Sequence, residues 1–348
     1  MSQSRQSQHE GGPTPVGPEF AAALLPLWGL PPGTGIVPAA EQGTNNRTFL
    51  VRHGQQRYVL RVSGFLSVAE VRAEHRILLR LPQGRLPLQV PEPVAALDGR
   101  TVIETDAGPA ALCRWLPGVH PGMDGEAAFE RFGRAAGLLS AALADVALGD
   151  ALRDWRTDPR WIRPGDPPVD VLCGELRSAG ISAEQAELLA AAARRVGRWW
   201  PAVGRLPAQV IHGDLAPSNV LADPDTGEVT GLLDFELAGA GFRVQDTLAG
   251  LYNSTALGAP DWPHRTAAFI RGCASVRRLE PAELAALPEL LIVRSLGSVL
   301  WRAAKWRAGL GRFADVTAQA GRLEATTRWL AANEDAFLSV ANAANAGS

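Results

Sequence analysis

The chain has 348 residues, of which 46% are hydrophobic and 20% charged, as in an ordinary globular protein with a large core. Its 34 basic and 36 acidic side chains give a net charge of −2, and without a basic excess a nucleic-acid partner is not expected. Apolar stretches such as residues 20–30 are too short to span a membrane, and no basic leader precedes them. We therefore predict a cytoplasmic protein of two lobes that binds neither nucleic acid nor membrane.

The first third of the chain is predicted to form a β-rich lobe. Residues 1–17 are polar and rich in glycine and proline, which predicts a disordered leader. Ser67, with Glu70 three residues later, predicts a capped helix that runs to about Leu81. The other predicted elements are a helix over 18–28, a hairpin of strands 46–52 and 57–62, a second hairpin over 94–103 and a strand over 110–116.

Beyond Pro117–Gly118 the sequence becomes rich in alanine and leucine with a helical periodicity. The exception is 208–235, whose pattern predicts strands that alternate with loops. The composition of 342–348 predicts a disordered tail. The predicted helices cover 126–147, 182–199, 245–256, 262–278, 282–308 and 314–339. These elements predict an α+β fold with a small β-rich lobe over 18–117 and a larger, mainly helical lobe over 118–341.

The strongest chemical signal lies in 209–221, QVIHGDLAPSNVL. An apolar strand leads to His212, Asp214 follows two residues later, and Asn219 comes five residues after Asp214. This H-x-D-x-x-x-x-N spacing is that of the catalytic loop of protein kinases. The next predicted strand ends at Asp234, where kinases have a metal-binding aspartate. The two strand ends together predict a bilobal, protein-kinase-like fold with an N-terminal nucleotide-binding lobe and a C-terminal catalytic lobe.

These residue types suit the transfer of a γ-phosphoryl group from ATP to a hydroxyl. Such a transfer needs in-line positioning and charge neutralisation more than covalent help from the protein. Mg²⁺ prefers hard oxygen ligands, which Asn219 and Asp234 can supply. Asp214 is placed to accept the proton of the substrate hydroxyl. We therefore predict Asp214 and Asn219 as catalytic residues, Asn219 and Asp234 as metal ligands, and ATP and Mg²⁺ as cofactors.

The same segment resembles the aminoglycoside phosphotransferase / choline kinase-like superfamily, the phosphotransferase enzyme family. Its members carry H-G-D-L-x-x-x-N-[VIL]-L, followed by a strand that ends in D-[FW]. Residues 41–51 look like the family's nucleotide-loop hairpin, and 241–251 look like its G-x-x-x-x-D helix start. The resemblance covers about 30–330 and is loosely nearest to the type II homoserine kinase-like branch. It implies an ATP- and Mg²⁺-dependent phosphotransferase that acts on a small metabolite.

The resemblance also implies a cation for the nucleotide phosphates. Arg61 stands where the family has a lysine, and the only lysine of this chain, Lys305, lies far away in the sequence. An arginine can hold phosphates through its planar fork, although it is not interchangeable with lysine. The family's partner glutamate corresponds to Glu74, with Glu70 one turn earlier as the alternative.

Further roles follow from the resemblance in the hairpin and around the catalytic loop. Thr44, Asn45 and Asn46 are expected at the hairpin tip, where backbone N–H groups and a hydroxyl can face nucleotide phosphates. His212 is expected to hold the catalytic loop by hydrogen bonds, because Asp214 already occupies the position of the base. Asp246 is expected to support the loop from behind.

The acceptor is open at this point. We expect a small homoserine-, choline- or sugar-like metabolite with a hydroxyl group, bound by a monomer or homodimer. The segments expected to line its pocket, 149–181 and 258–280, carry eight acidic residues and nine arginines. A polycationic aminoglycoside would need a denser cluster of carboxylates. An aminoglycoside-modifying kinase, a Ser/Thr protein kinase and a non-catalytic nucleotide-binding pseudokinase are the alternatives, although no A-P-E segment follows Asp234.

Overall fold

The structure is a computed structural model that describes residues 16–39, 46–81, 86–157 and 167–347. The chain divides into two compact units. The first comprises the residues up to His75 together with Pro91–Trp115, and the second comprises Arg76–Val90 and the residues from Leu116 onward. The division after Trp115 lies close to the one predicted after residue 117, whereas 76–90 belong to the second unit. Residues 1–15 of the predicted leader lie outside the described residues.

The first unit contains a five-stranded antiparallel sheet in the order β1-β2-β3-β5-β4. Phe49, Leu60 and Leu112 of this sheet pack in one core with Trp28. The elements up to Trp115 are α1 (Pro18–Leu24), β1 (Gly35–Pro38), β2 (Asn46–His53), β3 (Gln56–Ser63), α2 (Val68–Arg80), β4 (Ile103–Thr105) and β5 (Gly108–Arg114).

The first predicted hairpin and the capped helix are confirmed. β2 and β3 pair antiparallel, with His53 opposite Gln56, around Gly54, whose φ of 60° lies in the region that glycine adopts most readily. At the start of α2, the Ser67 hydroxyl accepts a bond from the N–H of Glu70, and the Glu70 carboxylate accepts one from the N–H of Ser67. This reciprocal pair fixes the helix start.

Of the second predicted hairpin, over 94–103, only the turn forms. The segments on its two sides share one bond, from the N–H of Ala96 to the carbonyl of Arg100 at 2.8 Å, while β4 pairs with β5 and the N–H of Val94 donates to the carbonyl of Leu112 of β5. The turn between them closes locally, because the Asp98 carboxylate bonds both the backbone N–H and the guanidinium of Arg100.

The second unit is mainly helical and is built around one large hydrophobic core. Within this core Phe132 and Phe269 pack edge to face, with ring centroids 5.2 Å apart. A two-stranded sheet (β8-β9) and a three-stranded sheet (β6-β10-β7) carry the loops between the helices. The elements are α3 (Glu126–Leu143), β6 (Arg153–Asp154), α4 (Val169–Ala179), α5 (Ala183–Trp199), β7 (Ala208–Ile211), β8 (Val220–Ala222), β9 (Val229–Leu232), β10 (Gly239–Phe242), α6 (Val244–Asn253), α7 (Trp262–Ala274), α8 (Pro281–Arg307) and α9 (Phe313–Ala346).

Among the described residues, helix α8 alone contains a window long and apolar enough to be a candidate membrane span. By length and composition it could cross a membrane, but 67% of its most apolar window is buried inside the protein. It therefore serves as a core helix, which buries its apolar residues against neighbouring helices. Lys305, near its C-terminal end, is only 1% exposed.

The predicted disordered tail is wrong for the described residues from Asn342 onward. Helix α9 continues to Ala346. The amide of Asn345 explains this continuation, because its oxygen accepts from the N–H of Leu279 at 2.9 Å and its nitrogen donates to the carbonyl of Leu279 at 3.0 Å. Such a distant partner for a polar residue leaves no trace in the local sequence.

Candidate active site

The segment between β7 and β8 forms a loop that His212 holds from inside. The imidazole is buried; its Nε2 donates to the carbonyl of Leu233 at 2.9 Å, and its Nδ1 accepts from the N–H of Asp214 at 3.2 Å. One ring thus ties the loop to the residue that follows β9. This is the loop-holding role that the sequence predicted for His212, and it leaves neither ring nitrogen available as a base.

Asp246 supports the same loop from helix α6. Its two carboxylate oxygens accept from the backbone N–H groups of His212 and Gly213, at 2.8 and 2.9 Å. Burial raises the pKa of the Asp246 carboxyl, although the hydrogen bonds from both amides act in the opposite direction. The predicted buttress is therefore present, and both oxygens of this buried carboxylate bond the loop.

We expect Asp246→Ala to destabilise the protein, because two buried amides would lose their acceptor. Each unsatisfied group costs about 1–3 kcal/mol. Urea denaturation followed by circular dichroism measures the loss in free energy of unfolding. Asp246→Asn, which keeps one acceptor oxygen, should lose less, and equal losses in the two variants would contradict the assigned bonds.

Gly213 is required by the path of the loop. Its φ is 81°, in the left-handed region, and a Cβ atom there would lie 2.5 Å from the carbonyl oxygen of Leu237. Only glycine meets both conditions without a shift of the backbone. The loop can therefore turn sharply enough to present Asp214 directly after the buried His212.

Asn219 and Asp234 are brought to the same end of the β8-β9 sheet. Val220 pairs with Leu232, and the N–H of Leu233 donates to the carbonyl of Asn219 at 2.8 Å, so Asp234 follows directly on this pair. The Asn219 side chain donates from Nδ2 to the carbonyl of Asp214 at 2.9 Å. That bond uses the amide nitrogen, so the amide oxygen is the atom of this side chain that could bind a cation.

Asp234 has a left-handed backbone with φ 63° and ψ 66°, uncommon for a residue other than glycine. Aspartate tolerates this region better than most side chains, and such backbones concentrate at functional sites. No group of three or more His, Cys, Asp or Glu that could hold a metal occurs among the described residues. One carboxylate and one amide oxygen nevertheless suit Mg²⁺, which usually takes its other ligands from water and phosphate. The donor set therefore fits the predicted metal.

The surroundings of Asp214 include two residues that the sequence analysis did not identify. Arg294 of α8 bonds Oδ1 of Asp214 through Nη2 and donates from Nη1 to the carbonyl of Gly213 at 2.9 Å. Asn253, at the end of α6, donates to the same Oδ1 at 3.3 Å and to the carbonyl of Leu215 at 2.9 Å. Arg294 lies 80 positions from Asp214 in the chain; its isolation within an apolar helix is the only signal the sequence offered.

In the first unit, Arg61 and Glu74 form the predicted ion pair. The Arg61 guanidinium lies 2.9 Å from the carboxylate of Glu74, whose side chain is 3% exposed. Glu70, the alternative partner, caps α2 through Ser67. Burial and the charge of Arg61 lower the pKa of His75 to about 3, so His75 adds no second cation beside Arg61.

The structure describes only one of the three residues predicted at the tip of the nucleotide hairpin. Thr44 and Asn45 lie outside the described residues. Asn46 begins β2, opposite Ser63 of β3, and its side chain is buried. A nucleotide contact by any of the three stays a prediction.

We expect Arg61→Ala to raise the Michaelis constant for ATP. A hydrogen bond to a charged group contributes about 1.5–3 kcal/mol, which corresponds to roughly 10–100-fold. Steady-state kinetics with ATP varied measures this, and Arg61→Lys should restore part of the loss because it keeps the charge. Arg52→Ala, at an exposed arginine near the other end of β2 and outside 41–51, is the control. An unchanged constant in Arg61→Ala would remove Arg61 from the nucleotide site.

Comparison with known proteins identifies the family of the chain. Residues 36–287 match the model of the phosphotransferase enzyme family. A homoserine kinase of Gluconobacter oxydans (strain 621H) is 32% identical over 273 residues, which cover 76% of this chain and 81% of that protein.

Two solved structures share the fold. The microcompartment-associated aminopropanol kinase has a TM-score of 0.66 at 21% identity and covers 90% of this chain and 98% of its own. The amicoumacin kinase hAmiN, solved in complex with AMP-PNP, Ca²⁺ and Ami, has a TM-score of 0.65 at 18% identity. This match covers 89% of this chain and 92% of the hAmiN chain.

These matches confirm the predicted kinase-like fold and the resemblance to the superfamily. The chain belongs to the phosphotransferase enzyme family. It is a small-molecule kinase, a phosphotransferase whose acceptor is a hydroxyl group.

Proposed function

We propose that this kinase transfers the γ-phosphoryl group of ATP to the hydroxyl of homoserine or of a similar short hydroxy amino acid. The observation that carries the proposal is the hydrogen-bonded catalytic loop. In this loop Asn219 bonds the carbonyl of Asp214 with its side chain and the residue before Asp234 with its backbone. Asp214, Asn219 and Asp234 are thus held on adjacent strand ends, which supports the proposal that the first acts as the base and the other two as oxygen ligands.

In the proposed reaction, Asp214 accepts the proton of the acceptor hydroxyl while the oxygen forms its bond to the γ-phosphorus, and ADP departs. Asn219 and Asp234 would hold Mg²⁺, and Arg61, held by Glu74, would bind nucleotide phosphates. When bound, Mg²⁺ neutralises charge on the phosphate oxygens. The AMP-PNP and Ca²⁺ bound by hAmiN support the use of ATP with a divalent cation.

Homoserine is favoured over a polycationic acceptor by the charges of the second unit and by the homoserine kinase relative. Several arginines of the segments expected to line the pocket pair with neighbouring acids: Arg156 with Asp154, Arg265 with Asp261, and Arg271 with Glu126 and Glu130. Within the described part of these segments no arginine occupies the position beside Asp214. Arg294 of α8 holds that position.

The test is a turnover assay with the full chain, ATP and Mg²⁺. ADP release is followed by a coupled assay and the product by ³¹P NMR, over homoserine, choline, a simple sugar, kanamycin and a Ser/Thr peptide. We expect the highest kcat/KM for homoserine. A higher value for kanamycin or the peptide would establish one of the alternatives, and nucleotide binding without any turnover would indicate a pseudokinase. Light scattering on the same preparation tests the proposed monomer or homodimer.

A further inference from the structure

Arg294 occupies an unusual position for a charged residue. It lies in the middle of helix α8, within the run Leu290–Leu300, which contains no other charge. Its guanidinium leaves the apolar face of the helix and reaches the catalytic loop at Gly213 and Asp214. A cation held within an apolar helix is costly unless it is paired, so its contacts define what it does.

The loop does not use the full capacity of Arg294. A guanidinium carries five N–H groups, and the described residues accept one bond from Nη1 and one from Nη2. Nε is buried without a partner in the described chain, yet the side chain is 25% exposed. The exposed part therefore belongs to other atoms of the side chain, and the fork has hydrogens left for a ligand beside the loop.

The two carboxylate oxygens of Asp214 are also used unequally. Both Arg294 and Asn253 contact its Oδ1, whereas its Oδ2 receives no donor from any residue in the described ranges. Oδ2 is thus the oxygen available to the acceptor hydroxyl, and Arg294 stands on the other side of the same carboxylate. An acceptor whose hydroxyl bonds Oδ2 would therefore have its other polar group near the guanidinium of Arg294.

We propose that Arg294 binds a carboxylate of the acceptor and thereby selects a short hydroxy acid or hydroxy amino acid over a purely cationic amino alcohol. This inference rests on the proposed function and adds a residue that decides specificity. A carboxylate beside Asp214 would suffer repulsion without an intervening cation, and Arg294 offsets it through a charge-assisted bond. An acceptor with only an ammonium group would instead meet a like charge at close range.

The experiment compares two acceptors that differ only in the carboxylate, homoserine and 3-amino-1-propanol. The readout is the ratio of their kcat/KM values. Any effect of Arg294 on the position of the loop reduces both kcat/KM values and therefore cancels in the ratio. Wild type should prefer homoserine by on the order of 10–10²-fold, the usual contribution of one charge-assisted hydrogen bond. Arg294→Met should lower this ratio at least tenfold, and Arg294→Lys should retain part of it.

Asn253→Ala is the matched control. It also removes a donor to Oδ1 of Asp214 but removes no charge, so it should lower turnover of both acceptors and leave their ratio unchanged. Should the Arg294 variants fail to fold, wild type is assayed with homoserine amide, which lacks the carboxylate charge and should resemble 3-amino-1-propanol.

The possible failures are distinguishable. If wild type phosphorylates homoserine but Arg294→Met leaves the ratio within threefold, Arg294 only positions the loop and the inference is wrong. Preference of wild type for 3-amino-1-propanol, or equal use of homoserine and its amide, overturns it as well while leaving the kinase function intact. Absence of turnover with every hydroxyl acceptor contradicts the proposed function, and the inference falls with it.

Discussion

Replacement of Asp214 by Asn is expected to lower kcat by on the order of 10²–10⁴, the usual contribution of a positioned base. Asparagine has nearly the same shape, but its amide cannot take the proton of the acceptor hydroxyl. Nucleotide affinity should change little, because the proposed metal ligands are Asn219 and Asp234. Single-turnover kinetics, with calorimetric titration of AMP-PNP, separates the two effects.

Asp225→Asn provides the control for this substitution, because Asp225 is exposed in the turn between β8 and β9. It should behave as wild type. Turnover of Asp214→Asn within a few-fold of wild type would show that another group takes the proton. A loss of nucleotide affinity as large as the loss of turnover would indicate a collapsed loop.

The second large effect is expected at Asp234. Asp234→Asn keeps the size of the side chain, and asparagine tolerates the left-handed backbone found there, but the substitution removes the negative charge that a divalent cation requires. The Mg²⁺-dependent part of nucleotide affinity should be largely lost and turnover should fall by on the order of 10² or more. Titration of AMP-PNP with and without Mg²⁺ measures this directly.

Asn219→Ala should reduce the same Mg²⁺-dependent affinity less, because it removes a neutral ligand. In metal-free buffer both variants should bind nucleotide about as well as wild type. If Mg²⁺ has the same effect on affinity in wild type and in both variants, the metal assignment is wrong.

The catalytic loop was predictable because its chemistry is local. His212, Asp214 and Asn219 lie within eight residues, and the strand signals on either side place them on strand ends. The ion pair of Arg61 with Glu74 followed from a family resemblance, since nothing in the local sequence connects a strand to a helix 13 residues later.

What the sequence did not reveal depends on contacts between distant segments. Arg294 and Asn253 reach Asp214 from helices that begin well after the motif, and helical periodicity cannot say which polar residue on an apolar helix meets a loop. Asn345 is a similar case, because its partner Leu279 lies 66 positions away. β10 was missed because Gly239–Phe242 is short and glycine-rich, and it bonds to strands far apart in sequence.

The buried position of Lys305 has a practical consequence for labelling. Since no other lysine exists in the chain, an amine-reactive dye applied to the folded protein should attach at the terminal amine alone, whereas Lys305 should react only after unfolding. A single chromophore could then be installed without mutagenesis for fluorescence binding assays. The rate at which a second dye is taken up would report how often helix α8 opens.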